Sequence, residues 1–263
     1  MATHPLLNIA ERAAMAAGQV IIRAFDRVDT LTITEKQPND FVSEVDKQAE
    51  QEIINIIHKA YPNHGILAEE SGSMPGDETV WIIDPLDGTT NYLHGLPHFA
   101  VSIAVQHKNK IEHAVIYDPI RQEIFTGSRG AGARMNNKRL RVTNHKYLNG
   151  ALLGTGFPFR EMHLFPTYLE TFSLLTPQVA GIRRGGAATL DLAYVAAGRL
   201  DGFWEFGLGP WDMAAGTLLI REAGGLVGDF DGSEHFMESG NIVAGNPKIF
   251  KAILQSIQPA LAK

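Results

Sequence analysis

Apolar residues change their repeat partway along this 263-residue chain, and that change restricts the fold more than any other feature. Up to residue 60 they recur at three- and four-residue steps, the period of a helix with one buried face. Leu6, Ile9, Ala13, Ala17, Val20 and Ala24 form the first stripe. Val42, Val45, Ala49, Ile53, Ile56 and Ala60 form the second, which predicts a helix over 42–60 stopped by Tyr61-Pro62-Asn63. From Gly65 the pattern becomes short apolar or alternating runs, which predict strands at 65–68, 80–83, 99–105 and 111–117. Phe99, Val101, Ile103 and Val105 share one face of the third. Ile124-Phe125-Thr126 and the stretch 134–142 read as further antiparallel strands, with Asn136-Asn137 as the turn between them. Beyond Leu148 helices are expected at 163–175, 187–197, 211–223 and from Pro247, with strands at 201–205 and 242–244. Clustered strands followed by alternating elements predict a layered α/β protein in two halves, 1–147 and 148–263.

Composition excludes several chemistries. Hydrophobic residues are 44% of the chain and charged residues 20%, a globular balance. Lysine plus arginine is 23 and aspartate plus glutamate 29, a formal charge of −6. A field of that sign attracts neither nucleic acid nor anionic membranes, so neither is an expected partner. It also repels a phosphorylated substrate, so phosphate chemistry here requires a local cation. With no cysteine, disulfides, thiolate zinc sites, iron–sulfur clusters and cysteine nucleophiles are excluded. No apolar run approaches the ~18 residues of a membrane span. Met1-Ala2-Thr3-His4-Pro5 starts no signal-peptide pattern, and a cytoplasmic protein is expected.

Three segments stand out: Ala68-Glu69-Glu70-Ser71-Gly72 at the end of a buried strand, Trp81–Asn91, and Gly209–Gly216, where Asp212 sits at a helix start after Gly-Pro-Trp. Asp84 follows bulky apolar residues, and Pro85 holds Asp84 and Asp87 at a defined turn. Two carboxylates this close repel, and burial worsens that unless a cation lies between them. The Leu86 carbonyl adds a third oxygen, and hard oxygen donors favour Mg²⁺ over zinc. Gly88-Thr89-Thr90 offers backbone N–H groups and hydroxyls, an anion site if a helix starts there. Alone, Asp84-x-x-Asp87 passes as a capped turn and Asp212 as a helix N-cap. The repetition of acids at the ends of buried segments favours a site. The ten histidines show no metal-ligand spacing.

Asp84-Pro-Leu-Asp-Gly-Thr-Thr90, Trp211-Asp-x-Ala-Ala-Gly216 and Glu69-Glu70 together resemble the inositol monophosphatase family. The likeness extends to Lys36 and to the stretch from Asn39 to Asp46. Arg183-Arg184 and the segment Ala193–Arg199 are similar to a bacterial branch of that family. The resemblance implies a five-layered αβαβα sandwich, a homodimer, and Mg²⁺-dependent hydrolysis of myo-inositol 1-phosphate and similar polyol phosphates without a covalent intermediate. It implies metal ligands at Glu69, Asp84, the Leu86 carbonyl, Asp87 and Asp212, with Asp46 supporting a further metal. It places phosphate on the metals and on the backbone of Gly88 and Thr89, with Leu86 also among the substrate-binding residues. Asp87, Ala188, Glu205 and Asp212 would meet the alcohol, Gly186 and Ala187 would line the same pocket, and Arg183 would be an added contact. Catalysis would fall to Glu69, Thr89, Asp87 and Asp212. Sugar, histidinol and nucleotide phosphates are alternative substrates. The bacterial branch also implies transcription antitermination, with Nus factors and RNA polymerase as partners. Ser43-x-x-Asp46 has a second reading as an acidic capping box.

Overall fold

A computed structural model of the chain describes residues 4–25, 27, 33–37 and 40–262. Asn39 and the side chain of Lys36 lie outside the described residues. Helices α1 (Pro5–Phe25) and α2 (Glu44–Ala60) are separated by the antiparallel pair β1 (Ile33–Gln37) and β2 (Asp40–Ser43). An eight-stranded sheet follows: β3 (Gly65–Ala68), β4 (Gly72–Met74), β5 (Thr79–Asp87), β6 (Ala100–His107), β7 (Lys110–Asp118), β8 (Glu123–Ser128), β9 (Gly132–Met135) and β10 (Lys138–Arg139). Its order is β10-β9-β8-β7-β6-β5-β3-β4, antiparallel except for the β3–β5 pair. The short helix α3 (Thr89–Leu93) leaves β5.

The second sheet has five strands: β11 (Leu152–Thr155), β12 (Gly181–Arg183), β13 (Gly202–Glu205), β14 (Leu226–Gly228) and β15 (Ile242–Gly245), in the order β12-β11-β13-β15-β14. Helices α4 (Phe165–Leu175), α5 (Ala188–Ala196), α6 (Pro210–Glu222), α7 (Phe236–Ser239) and α8 (Pro247–Leu261) belong to this half. Three cores hold five layers together, the middle one reaching both sides of α5 and α6. Helices α1 and α2 cover one face of the large sheet, α5 and α6 fill the space between the sheets, and α4 and α8 cover the far face of the small sheet. No helix among the described residues is long and apolar enough to cross a membrane.

Strand β6 shows how the layers are specified. Val101, Ile103 and Val105, with Phe99 just before the strand, face α1 and α2. The residues between them, Ala100, Ser102 and Ala104, are also buried, and they face α5 and α6. The alternation is therefore one of size, because helices cover both faces. Small side chains on the inner face let the middle helices approach. Gly216 on α6 serves the same end, since a Cβ there would lie 2.5 Å from Leu192 on α5.

Three expectations change. Val42 lies in β2 and α2 begins at Glu44, because Ser43 caps the helix. The Ser43 hydroxyl accepts from the Val45 N–H at 3.1 Å, and Asp46 accepts from the Ser43 N–H at 2.8 Å. Asn136-Asn137, both at positive φ, turns β9 into β10, and residues 129–131 join β8 to β9 instead. Strands β4, β12 and β14 have three residues each, too few to display a period of two.

Candidate active site

Asp84 and Asp87 are three residues apart on β5, a spacing that puts side chains on opposite faces of a regular strand. A bulge reverses that. Asp84 pairs with Ser102 and Asp87 with Ala100, so three steps on β5 match two on β6. Pro85 lies inside the bulge, where its missing N–H breaks no ladder bond. The Leu86 side chain is buried in the outer core, while its N–H donates to Asp84 Oδ1 at 3.0 Å. Gly88 follows at φ +91°, and a Cβ there would lie 2.9 Å from the His98 carbonyl oxygen. Only glycine fits this turn.

The other acids of this end come from two further elements. Glu69 follows β3, and Glu50 on α2 anchors that turn by accepting the N–H groups of Glu70 and Ser71, each at 2.9 Å. Asp212 lies in the first turn of α6 and accepts from the Gly209 N–H at 2.7 Å. Asp87 accepts from the Thr189 N–H at 2.8 Å and the Thr189 hydroxyl at 2.6 Å, which ties β5 to the start of α5. Asp84, Asp87 and Asp212 each offer a carboxylate oxygen, and these oxygens lie within 4.8 Å of one another.

The electrostatics follow from crowding. Burial raises the Asp84 carboxyl well above its ordinary range, and Glu69, Asp87 and Asp212 raise it further. Asp87 is pushed up to about 7 by burial and by Asp212, against the opposing Thr189 hydrogen bonds and the Arg160 charge. Arg160 is the cation inserted among these acids. It donates to Glu69 Oε1 at 2.9 Å and lies 3.6 Å from Asp212 Oδ2. A set of crowded, buried oxygen donors, partly neutralised by one guanidinium, suits a hard divalent cation.

The structure gathers most of the expected site residues around one pocket. Glu69, Asp84, Leu86, Asp87 and Asp212 line the acidic end, and Gly88 and Thr89 the adjoining wall. Gly186, Ala187, Ala188 and Glu205 line the remainder. Glu205 is packed so closely on Gly156 that a Cβ there would lie 1.9 Å from its Oε1. Two expected residues stand elsewhere. Asp46 lies behind Thr89 and outside the pocket lining, accepting the Thr89 hydroxyl at 2.9 Å while Ser43 occupies its other oxygen. Arg183 is exposed, and its side chain folds back to the Ile182 carbonyl at 3.2 Å. Its neighbour Arg184, just past the end of β12, lines the pocket instead and lies over the Phe157 ring at 5.0 Å.

Three contributors were not expected from the sequence, Arg160, Thr189 and Asp191, while Arg184 stands out there only together with Arg183. Arg160 lies in a loop, Phe157-Pro158-Phe159-Arg160, that carries no motif. Asp191 did carry a signal, because it is the one acid in the otherwise uncharged helix Ala188–Ala196.

The comparisons match this architecture along the whole chain. The model of the inositol monophosphatase family matches residues 2–262. The Nus factor SuhB of Pseudomonas aeruginosa is 59% identical over 264 residues, covering 98% of this chain and 97% of that protein. Among solved structures, the extragenic suppressor protein suhB from Bartonella henselae superimposes with a TM-score of 0.95 at 45% identity, covering 97% of this chain and 99% of that one. An inositol monophosphatase from Anabaena (Nostoc) sp. superimposes with a TM-score of 0.86 at 39% identity, covering 97% and 95%. With its layered fold, its bulged Asp84–Asp87 turn and a family match spanning nearly every residue, the chain belongs to the inositol monophosphatase family.

Proposed function

We propose that the protein is a Mg²⁺-dependent phosphatase that hydrolyses myo-inositol 1-phosphate and similar polyol phosphates. One observation carries this reading: three carboxylate oxygens from two halves of an acidic chain converge within 4.8 Å at the end of a pocket. Glu69, Asp84, the Leu86 carbonyl, Asp87 and Asp212 would hold the metal. Bound there, it supplies Lewis acidity toward phosphate oxygens and a lowered pKa for a coordinated water. The acids of residues 1–147 and Asp212 from residues 148–263 then form one catalytic unit.

The protein's own groups position the reaction. The Thr89 hydroxyl has one proton and lies 2.9 Å from both Asp46 Oδ1 and the Leu86 carbonyl. Donating that proton to Asp46 leaves its lone pairs available to accept from a water. Glu69 takes the water's proton as its oxygen attacks phosphorus in line. The bond to the alcohol oxygen breaks, and that oxygen takes a proton from a second water oriented by Asp212. Glu69 returns its proton to the hydroxide left behind, so that one water is consumed and the alcohol and phosphate are released. No bond to the protein forms. Gly88 and Thr89 border the phosphate, and Ala188 and Glu205 face the alcohol.

The test is a metal and substrate panel on chelator-treated protein. Hydrolysis of inositol 1-phosphate restored by Mg²⁺ supports the reading. Hydrolysis unaffected by complete metal removal, or a preference for a nucleotide or histidinol ester, overturns the metal or the substrate assignment respectively.

The full-length likeness to a protein named as a Nus factor favours a second role, in transcription antitermination beside Nus factors and RNA polymerase. Capture of these factors equally by wild type and by Asp87→Asn supports a role separable from catalysis, and capture by neither removes it.

A further inference from the structure

We propose that Asp191 selects the alcohol part of the substrate, accepting a hydrogen bond from one of its hydroxyl groups at the inner wall of the pocket. This rests on the phosphatase reading and extends it to a residue outside the acidic end. Asp191 sits on α5 between Leu190 and Leu192, which are fully buried. Its side chain nevertheless lines the pocket, at 4% exposure. Among the described residues its carboxylate accepts no hydrogen bond. A buried carboxylate without donors is costly, and such groups call for a partner the protein itself does not supply.

Asp118 shows what a structural acid looks like in this fold. At 0% exposure it accepts from the N–H groups of Ile120 and Arg121 and from the Arg121 guanidinium. Asp191 has no comparable set. Its surroundings instead keep room open around it. A Cβ on Gly185 would lie 3.0 Å from Asp191 Oδ1, and a Cβ on Gly154 3.5 Å from its Cγ. Glu205, likewise without a hydrogen-bond donor among the described residues, lines the same pocket, and the Asp191 charge acts on it. Arg184 opposes the repulsion between these two acids. Two acceptors and a guanidinium along one wall suit an alcohol carrying several hydroxyls, and offer little to a plain aromatic leaving group.

The competing account is structural. His98 Nε2 is buried without a partner and lies 2.8 Å from the position of the same Gly185 Cβ. If His98 and Asp191 pair, the acid serves packing alone. The experiment compares wild type, Asp191→Asn and Asp191→Ala in Mg²⁺ on inositol 1-phosphate and on p-nitrophenyl phosphate, with a melting curve for each protein. The expected result is a fall of at least about ten-fold in the ratio of kcat/KM for the polyol ester to that for the aromatic ester, carried by KM. Asp191→Asn should melt no lower than wild type, because it removes an unpaired buried charge. An unchanged ratio, or a lowered melting temperature with equal losses on both esters, overturns the assignment in favour of the structural pair. Wild type inactive on both esters overturns the phosphatase reading and this one with it.

Discussion

Carboxylates are buried in two regions, and the protein treats them differently. Outside the pocket lining, Glu50 and Asp118 face backbone N–H groups, and Asp118 also holds Arg121. Both oxygens of Asp46 are likewise engaged. In the pocket, Asp84, Asp87, Glu205 and Asp191 have other acids among the charges acting on them. Burial is common to both groups, so burial does not mark function. The difference lies in the added neighbours: the first group has its donors, whereas the pocket acids crowd further acids even where, as at Asp84 and Asp87, they also accept hydrogen bonds. Acids that satisfy themselves stabilise the fold, whereas acids that crowd one another spend stability on a site.

Replacing one acid in each region should therefore change stability in opposite directions. Asp87→Asn carries the largest expected effect. Activity on phosphate monoesters should fall by about two orders of magnitude or more, the scale of a lost catalytic group. The metal-free protein should melt higher, because one repelling charge is gone. Steady-state kinetics and calorimetry with and without chelator check both halves. A variant that melts lower would break the contrast between the regions.

The same contrast predicts a pH dependence. The Asp87 carboxyl has an ordinary value of 3.8 and stands at about 7 in the fold. Between those values the folded chain holds a proton that the unfolded chain has lost, so this group's contribution to stability falls as pH rises from about 4 to 7. Melting temperatures of metal-free protein should decline across that window, and Mg²⁺ should restore them at neutral pH. Asp87→Asn should flatten the decline, and a slope unchanged in that variant would place its origin elsewhere.

Glu50→Gln tests the other region. The carboxylate accepts two N–H groups, and a glutamine amide presents only one oxygen to them. One donor is left unpaired, at a cost of about 1–3 kcal/mol. The variant should melt lower. Because Glu50 holds the turn that carries Glu69, catalysis should weaken without being abolished. Denaturant titration and kinetics check this.

Much of this site was legible in the sequence because two of its acids end apolar runs. Glu69 and Asp84 end buried strands, where packing gives no reason for a carboxylate, whereas Asp87 and Asp212 also read as turn and helix-cap residues and stand out only beside the other two. The five layers were less visible from periodicity alone. The alternation on β6 marks one large-residue face, but the burial of its small-residue face depends on helices more than 80 residues further along the chain. The choice of Arg184 over Arg183 was not legible, since adjacent arginines look alike until the strand end sets their directions. Arg160 was invisible for a related reason. Its role comes from a loop crossing over the acids, and nothing in its local sequence records that crossing.

Arg160 also yields the smallest expected effect. The guanidinium is partly exposed, at 27%, and bridges acids from both halves of the chain. An ion pair of this kind contributes less than a buried one, on the order of 1 kcal/mol or below. Arg160→Gln should lower the melting temperature of metal-free protein slightly, because Glu69 and Asp212 both lose the guanidinium that pairs with them. It should also tighten Mg²⁺ binding, since a cation entering the cluster no longer competes with a guanidinium already there. Calorimetric titration with Mg²⁺ measures this. Weaker binding in the variant would show that Arg160 organises the acids for the metal instead of holding their place.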